Sequence, residues 1–356
     1  MTQTPPAISI VVPLFNAAGD YTACLDSLAR QTRRDFEVIG VDSASTDGSA
    51  DLIARDFPWV RLIREPSNLG YRGGARKGAA AATGRCLVIM NQDVECACEF
   101  LAELMRPLET DGCIGMTAPL ILLYDRRDTV NEAGNAFHFS GLYGSRGLGD
   151  PREKYPATVE VGLASGCCFC IRRELWEALG GFSSDFDLIP TGWHAGNEDQ
   201  DLCWRLRLAG FTIKLVPGSV LYHKYVSKPW SGARLNGYYC NYWLTLLRHY
   251  RWRTLVVLAP FGTFNLGLLW LKAATGGWDT FRRLGRTQWL LVANLGAILE
   301  MRRRVQARRK VPDREIVAAM ETTISVSTNA AAQQSYLWLS RLYHWFFRRM
   351  VVLLGA

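Results

Sequence analysis

Three uninterrupted apolar runs constrain this chain more than any other feature. Residues 8–14, 36–41 and 86–90 show no alternation between apolar and polar positions, the pattern of strands covered on both faces. Helical spacing follows each of the first two, from about Asp20 to Gln31 (Tyr21, Cys24, Leu25, Leu28) and from Ser45 to Phe57. A short strand at Val60–Ile63 and a small-residue helix over Gly70–Ala82 lead into the third run. Strands alternating with helices imply a mainly parallel sheet with right-handed crossovers. Ligands on such sheets bind beyond the carboxyl ends of the strands. That rule singles out Pro13 to Asn16, Asp42 to Ser45, and Asn91 to Asp93.

With 356 residues, 49% of them hydrophobic and 21% charged, the chain can bury a large core, which excludes a disordered chain or a disulfide scaffold. Ten cysteines fall in no paired zinc spacing and read as reduced thiols acting as small hydrophobes. Met1 to Ser9 has neither a basic nor an apolar segment, so no secretory signal is read there. No G-x-G-x-x-G follows the first strand and no G-x-x-x-x-G-K-[ST] occurs, which argues against a dinucleotide dehydrogenase and a P-loop NTPase.

The strand ends carry the chemistry. Asp42 and Ser43 close the second strand, where a carboxylate can accept hydrogen bonds from a base or ribose; a plain turn and helix cap is the competing reading. Asn68, Gly70 and Arg72 belong to a glycine-rich loop whose backbone N–H groups can approach an anion. Asn91 and Asp93 end the strand after it, a place where a carboxylate can hold Mg²⁺ or Mn²⁺ together with phosphate oxygens. Later, Gly180 and Gly181 end a helix over Arg173–Leu179. After a loop rich in Gly, Pro and aromatic residues, Glu198 and Asp199 open another helix. A helix N-terminus keeps carboxylates ionised, as a general base requires. Asp201 and Arg205, four residues apart, read as a surface ion pair on that helix. His223 ends a strand that follows Gly210.

Taken in order, these segments resemble the family 2 inverting glycosyltransferases of GT-A fold. The likeness runs from Ile8 to His223, through the Asp42–Ser49 segment, Asn68 to Gly70, Asn91 to Val94, the Gly-Gly-Phe at 180–182 and the Glu-Asp-Gln-Asp at 198–201. It implies a GT-A catalytic domain over 1–235, with a nucleotide-sugar half to about 95 and an acceptor half beyond. It implies that Pro13, Phe15 and Asn16 line the nucleotide pocket, with Ser43, Asn68, Gly70, Arg72 and Asn91, and that Asp42 holds base or ribose. Asp93 and His223 are the implied ligands of a divalent metal, Mg²⁺ or Mn²⁺, and Asp199 the implied base. Glu198, Trp193 and His194 are placed weakly at the acceptor. Asn91 stands where the family's first metal-binding Asp is usual. That form resembles rhamnosyltransferase-type members, which suggests dTDP-L-rhamnose as donor, with UDP- and GDP-sugars as alternatives. A catalytically silent relative serving as a membrane scaffold is the competing reading.

The charge is uneven. Residues 1–239 hold 24 Lys+Arg against 28 Asp+Glu, whereas residues 240–356 hold 17 against 5, together with 7 of the 12 tryptophans. A basic, Trp-rich helical region over 236–356 is expected to lie at an anionic membrane interface. Arg248, Arg251, Arg253, Arg282, Arg283, Arg286, Arg302 to Arg304 and Arg308 to Lys310 are the candidate contacts. The apolar stretch Leu255–Leu271 reaches only the lower edge of a spanning helix. Similar enzymes act on polyprenyl-diphosphate-linked saccharides in polysaccharide assembly, which places the expected protein peripherally on the cytoplasmic face of a bacterial inner membrane. The same apolar faces could instead seal a homo-oligomer. No motif supports nucleic acid as a partner.

Overall fold

The computed structural model describes residues 6–141, 143–187, 196–226, 232–275, 277–321, 330–353 and 355. The first elements are β1 (Ile8–Leu14), α1 (Tyr21–Ala29), β2 (Phe36–Ser43), α2 (Ser49–Asp56), β3 (Arg61–Glu65), α3 (Gly70–Ala81), β4 (Cys86–Met90) and β5 (Val94–Cys96). Then come α4 (Phe100–Thr110), β6 (Ile114–Leu123), β7 (Arg126–Glu132), β8 (Asn135–Phe137), β9 (Tyr143–Ser145), β10 (Val159–Glu160), β11 (Cys168–Arg172), α5 (Arg173–Leu179), α6 (Glu198–Leu208) and β12 (Thr212–His223). Helices α7 (Gly232–His249), α8 (Trp252–Thr275), α9 (Trp278–Ala293), α10 (Leu295–Ala307), α11 (Asp313–Ala318) and α12 (Ala330–Leu353) complete the chain.

Two compact units emerge. The first comprises Met1–Asn135, Ser145–Phe182 and Phe211–Ser227; the second comprises Ala136–Gly144, Ser183–Gly210 and Lys228–Ala356. The segments interleave, so α6, with its run of carboxylates, belongs to the helical unit.

The first unit is built on one sheet in the order β10-β12-β6-β11-β4-β1-β2-β3. β1 pairs in parallel with both β2 and β4, and β2 with β3, as the apolar runs predict. β11 enters antiparallel between β4 and β6, while β12 returns parallel to β6. All seven residues of β1 and all five of β4 are buried. Small residues let α3 lie directly on this sheet. A Cβ at Gly78 would fall 2.3 Å from Val11 Cγ1, and one at Gly74 3.0 Å from Pro13 Cβ. The glycine-rich stretch is therefore a packing stripe, four residues apart on one helix face, as well as a loop.

The helical unit has its own core of Phe186, Cys240, Leu244, Ile298 and Met301. Polar side chains close its helix ends. Arg302 on α10 donates to the carbonyls of Leu247 and Tyr250, each at 2.5 Å. Gln306 donates to those of Arg248 and His249 at 2.9 and 2.8 Å, and Arg309 also reaches His249. Arg302 and Gln306 on α10, with Arg309 just past its end, thus satisfy the orphan carbonyls that end α7. Asp313 does the converse for α8, accepting from Arg251 N at 2.7 Å and Thr254 Oγ1 at 2.6 Å, while Arg309 pairs with its other oxygen.

Two expectations are corrected here. Arg248, Arg302 and Arg309 are not free to meet lipid, because the fold uses them. Asp201 and Arg205 do pair, at 2.6 Å, but the pair is buried rather than on the surface. Helix α8 also runs through Pro260 without interruption. No helix among the described residues is long and apolar enough to cross a membrane.

Candidate active site

At the carboxyl ends of β1, β2 and β4 the first unit opens a cleft of about 250 Å³, lined by Pro13, Phe15, Ser43, Asn68, Gly70, Tyr71, Asn91, Gln92 and Asp93. Seven residues singled out by sequence therefore share one cavity. A larger cavity of about 520 Å³, bordered by Arg85, Cys86, Glu109 and Arg172, lies at the opposite strand ends. Two of its guanidiniums are occupied: Arg172 donates to the carbonyls of Leu108, Asp111 and Ile114, and Arg173 pairs with Glu177.

Hydrogen bonds staple the cleft's loops together. Asn16 N donates to Ser45 Oγ at 2.9 Å, and Thr46 N donates back to Asn16 Oδ1 at 3.0 Å. Asp47 accepts from Ala18 N at 2.9 Å and from Ser49 N at 3.1 Å. Asn68 Oδ1 takes the Gly70 N–H at 2.7 Å, and Gly70 adopts the positive φ of 63° that starts α3. Among the described residues, the non-glycine positions with positive φ are Asn16 (49°), Ala44 (57°) and Asn197 (68°). All three stand at sequence-predicted motifs. Left-handed backbone at Ala44 carries a steric cost, and such strain concentrates at functional sites.

Two carboxylates hold unpartnered oxygens here. Asp42 is buried; its Oδ2 accepts from Ser45 N at 3.3 Å, while Oδ1 is buried with no hydrogen-bond partner. Asp93 Oδ1 is likewise buried and unpartnered, 3.6 Å from His223 Nε2. That distance is too long for a hydrogen bond. Burial, the largest single influence, would raise the Asp93 carboxyl, but His223, its own backbone N–H and Asn91 together hold it below its usual range. The pairing of β12 with β5, His223 opposite Val94, brings the two together. His223 Nδ1 lies 2.8 Å from Asn131 Oδ1; donating there leaves the lone pair on Nε2, on the side of Asp93.

An orphaned carboxylate oxygen beside an imidazole lone pair fits a divalent cation. No cluster of three or more His, Cys, Asp or Glu suited to a metal occurs among the described residues, so other ligands would come from water and phosphate oxygens, as Mg²⁺ and Mn²⁺ commonly arrange. Arg72, in the first turn of α3, is buried.

The remaining sequence candidates lie in the helical unit. Asn197 caps α6 and donates to Gln200 Oε1 at 2.5 Å; Gln200 Nε2 donates to Gly141 O at 2.8 Å. These bonds fix the turn that carries Glu198, which is buried, and Asp199, which is half-buried. Asp201, one turn on, faces Arg205 at 2.6 Å, Arg248 at 3.1 Å and His249 at 3.2 Å. Burial would raise its carboxyl, but the two arginines overwhelm that effect and depress it strongly. Arg248 also pairs with Asp185 at 3.0 Å. Trp193 and His194 lie outside the described residues.

Sequence reasoning missed Gln92, Ser45 and Asp47 as loop staples, although each sits inside a motif it had marked. It also missed Asn131 and Arg248. Their partners are 92 and 47 residues away, and no local pattern reports such pairings.

Comparison with known proteins bears on the fold. Residues 9–180, just under half the chain, match the family model described as Glycosyl transferase family 2. A mycobacterial protein described as PGL/p-HBAD biosynthesis glycosyltransferase (Mycobacterium bovis) is 32% identical over 149 residues, covering 40% of this chain and 56% of that one. An uncharacterized protein of Sinorhizobium fredii is 25% identical over 232 residues, covering 61% of this chain and 24% of its own. The chain thus spans between a quarter and about half of these relatives. The crystal structure of GalNAc-T7 with UDP, GalNAc and Mn²⁺ superposes with a TM-score of 0.57 at 21% identity, covering 72% of this chain and 51% of that one. The fold is the GT-A arrangement, a mainly parallel sheet flanked by helices.

Proposed function

We propose that the chain is an inverting glycosyltransferase that moves a sugar from a nucleotide-sugar to a hydroxyl of a lipid-linked saccharide. One observation carries the reading. Within a segment matching the family 2 model, Asp42, which is buried, and Asp93, which is partly exposed, stand at or just past the ends of the two strands that flank β1, and each has one buried oxygen without a hydrogen-bond partner. A buried polar atom without a partner calls for an explanation, and at a cleft a ligand, an ion or an ordered water supplies one.

In this reading Asp42 accepts from the base or ribose, and the β1–α1 and α3 loops enclose the nucleotide. Asp93 and His223 hold the divalent cation, which when bound supplies charge neutralisation for the departing diphosphate. Asp199 takes the proton of the acceptor hydroxyl as that oxygen bonds to the anomeric carbon. The bond from that carbon to the diphosphate oxygen breaks, nucleoside diphosphate leaves, and a single displacement inverts the centre. The Asn91–Asp93 form supports dTDP-L-rhamnose as the first donor to test. The likeness to a UDP-bound structure supports UDP-sugars as the alternative.

Peripheral attachment to the cytoplasmic face of an anionic bacterial membrane is part of the proposal. Its support is the outward face of α9, which exposes Trp278 (71%) and Trp289 (68%) together with Phe281, Arg282 and Arg286. On α12, exposed Trp345 and Phe346 sit beside Arg349, whose guanidinium stacks 3.9 Å from the Trp345 ring.

The test is a donor screen. Purified protein is incubated with dTDP-, UDP- and GDP-sugars, Mn²⁺ or Mg²⁺ and a polyprenyl-diphosphate-linked acceptor, and nucleoside diphosphate release is followed. The reading predicts cation-dependent release from one donor, with the anomeric configuration inverted in the product. Release without the cation, or retention of configuration, would contradict it.

A further inference from the structure

We infer that Gln92 is a positioning residue for the donor: its carboxamide fixes the backbone of Phe15 and so ties the wall of the cleft to the turn that carries Asp93. The inference rests on the nucleotide-sugar reading above.

The geometry is a two-point match. Gln92 Oε1 accepts from Phe15 N at 2.8 Å, and Gln92 Nε2 donates to Phe15 O at 3.0 Å. One side chain thus satisfies both backbone groups of one residue, as a strand partner does in a hydrogen-bonded antiparallel pair. It does so where the sheet no longer can. The β1–β4 ladder ends at Val11 opposite Ile89, and the β1–β2 ladder at Leu14 opposite Asp42. Phe15 is the first residue past both, and its side chain is 45% exposed beside the cleft. The next residue, Asn16, is held from the β2 side by Ser45 and Thr46 in a left-handed conformation. The Phe15–Asn16 step is therefore clamped from two strands, and Gln92 is the clamp on the β4 side.

A carboxamide offers an acceptor and a donor side by side, spaced to meet the N–H and C=O of one residue at once. A glutamate at neutral pH presents acceptors alone, and one of them would face the Phe15 carbonyl. Gln92 touches no reacting atom in this scheme. Its effect belongs on donor affinity through Phe15.

The experiment is a double-mutant cycle on the full chain with Gln92→Met, Gln92→Glu, Phe15→Ala and the Gln92→Met/Phe15→Ala pair. It reads donor KM and kcat, and titrates UDP, GDP and dTDP in the presence of Mn²⁺. Gln92→Met and Gln92→Glu should each raise donor KM up to about tenfold, the cost of ordering at the moment of binding a wall that Gln92 otherwise holds in place, with kcat within about threefold. In the Phe15→Ala background Gln92→Met should add almost nothing, because it acts through Phe15. Unchanged KM and nucleotide affinity in both Gln92 variants, or additive losses in the pair, would overturn the inference while leaving the donor reading intact. A wild-type chain that neither binds a nucleoside diphosphate nor turns over a donor overturns both.

Discussion

Asp93 and Asp201 are both carboxylates held below their usual pKa range, and they teach opposite lessons. Asp93, in the sheet unit, is one-third exposed and has a single histidine 3.6 Å from its Oδ1. Asp201, in the helical unit, is ringed by Arg205, Arg248 and His249 within 3.2 Å. The first arrangement leaves coordination capacity for something outside the chain. The second uses its charge to hold α6 and the end of α7 together. The same contrast separates the arginines. Arg302 and Arg309 close helix ends, whereas Arg282 and Arg286 stand exposed on α9.

The sharpest way to break this contrast is chemical. Asp199→Asn should lower sugar transfer about 10²–10⁴-fold, the usual contribution of a general base, with nucleotide binding and thermal unfolding unchanged. Steady-state kinetics beside a melting curve checks it; a loss under fivefold would remove Asp199 from the base role.

Next in size is the helical unit's charge cluster. Arg248→Met leaves Asp201 and Asp185 short of a partner, and breaking a buried pair from one side costs about 3–5 kcal/mol. Denaturant unfolding should record that loss. Acid probes the same cluster. Asp201 is depressed in the fold, so its stabilisation is present above the unfolded carboxylate value and lost as pH falls below it. His249 is lowered chiefly by burial, and its charging in the unfolded chain works in the same direction. Midpoints of unfolding should hold near neutrality and then fall steeply below about pH 4, the ordinary aspartate range. Arg248→Met should flatten that fall.

A smaller effect separates structural from surface arginines. Arg302→Gln should destabilise by about 1.5–3 kcal/mol through lost charged hydrogen bonds. Arg282→Gln with Arg286→Gln should leave unfolding within about 0.5 kcal/mol of wild type. The same pair should weaken flotation on anionic vesicles by about 1 kcal/mol per charge. Equal flotation by the double variant would remove the α9 face from the membrane proposal. Gly78→Ala should cost about as much as Arg302→Gln: a Cβ 2.3 Å from Val11 Cγ1 forces α3 off β1 at about 1–3 kcal/mol, read by thermal unfolding.

Much of this was legible in the chain itself. The runs at β1, β2 and β4 announced buried parallel strands, and their ends delivered the cleft residues, because period and position along a strand are local properties. Helix α5 and the N-terminus of α6 fall where Gly180 and Glu198 predicted them. The antiparallel entry of β11 between β4 and β6 was not legible, since register is set by partners distant in sequence. For the same reason the arginines around 302–309 read as contacts for an anionic membrane interface. Nothing in their spacing reports that the carbonyls ending α7 lie within reach. Asp201 and Arg205 gave a correct pairing with the wrong burial, because the i, i+4 rule fixes contact but not depth.

The most direct test of the contrast sets Asp93→Asn against Asp201→Asn, measuring thermal unfolding and the Mn²⁺ dependence of nucleoside diphosphate binding on the same preparations. Asp93→Asn should lose the Mn²⁺-dependent part of binding while its unfolding midpoint stays at that of wild type. Asp201→Asn should unfold at a markedly lower temperature and, while folded, bind as wild type does. If Asp93→Asn instead keeps its Mn²⁺-dependent binding and unfolds early, then Asp93 serves the fold, and the division between carboxylates reserved for a ligand and carboxylates used for structure is contradicted.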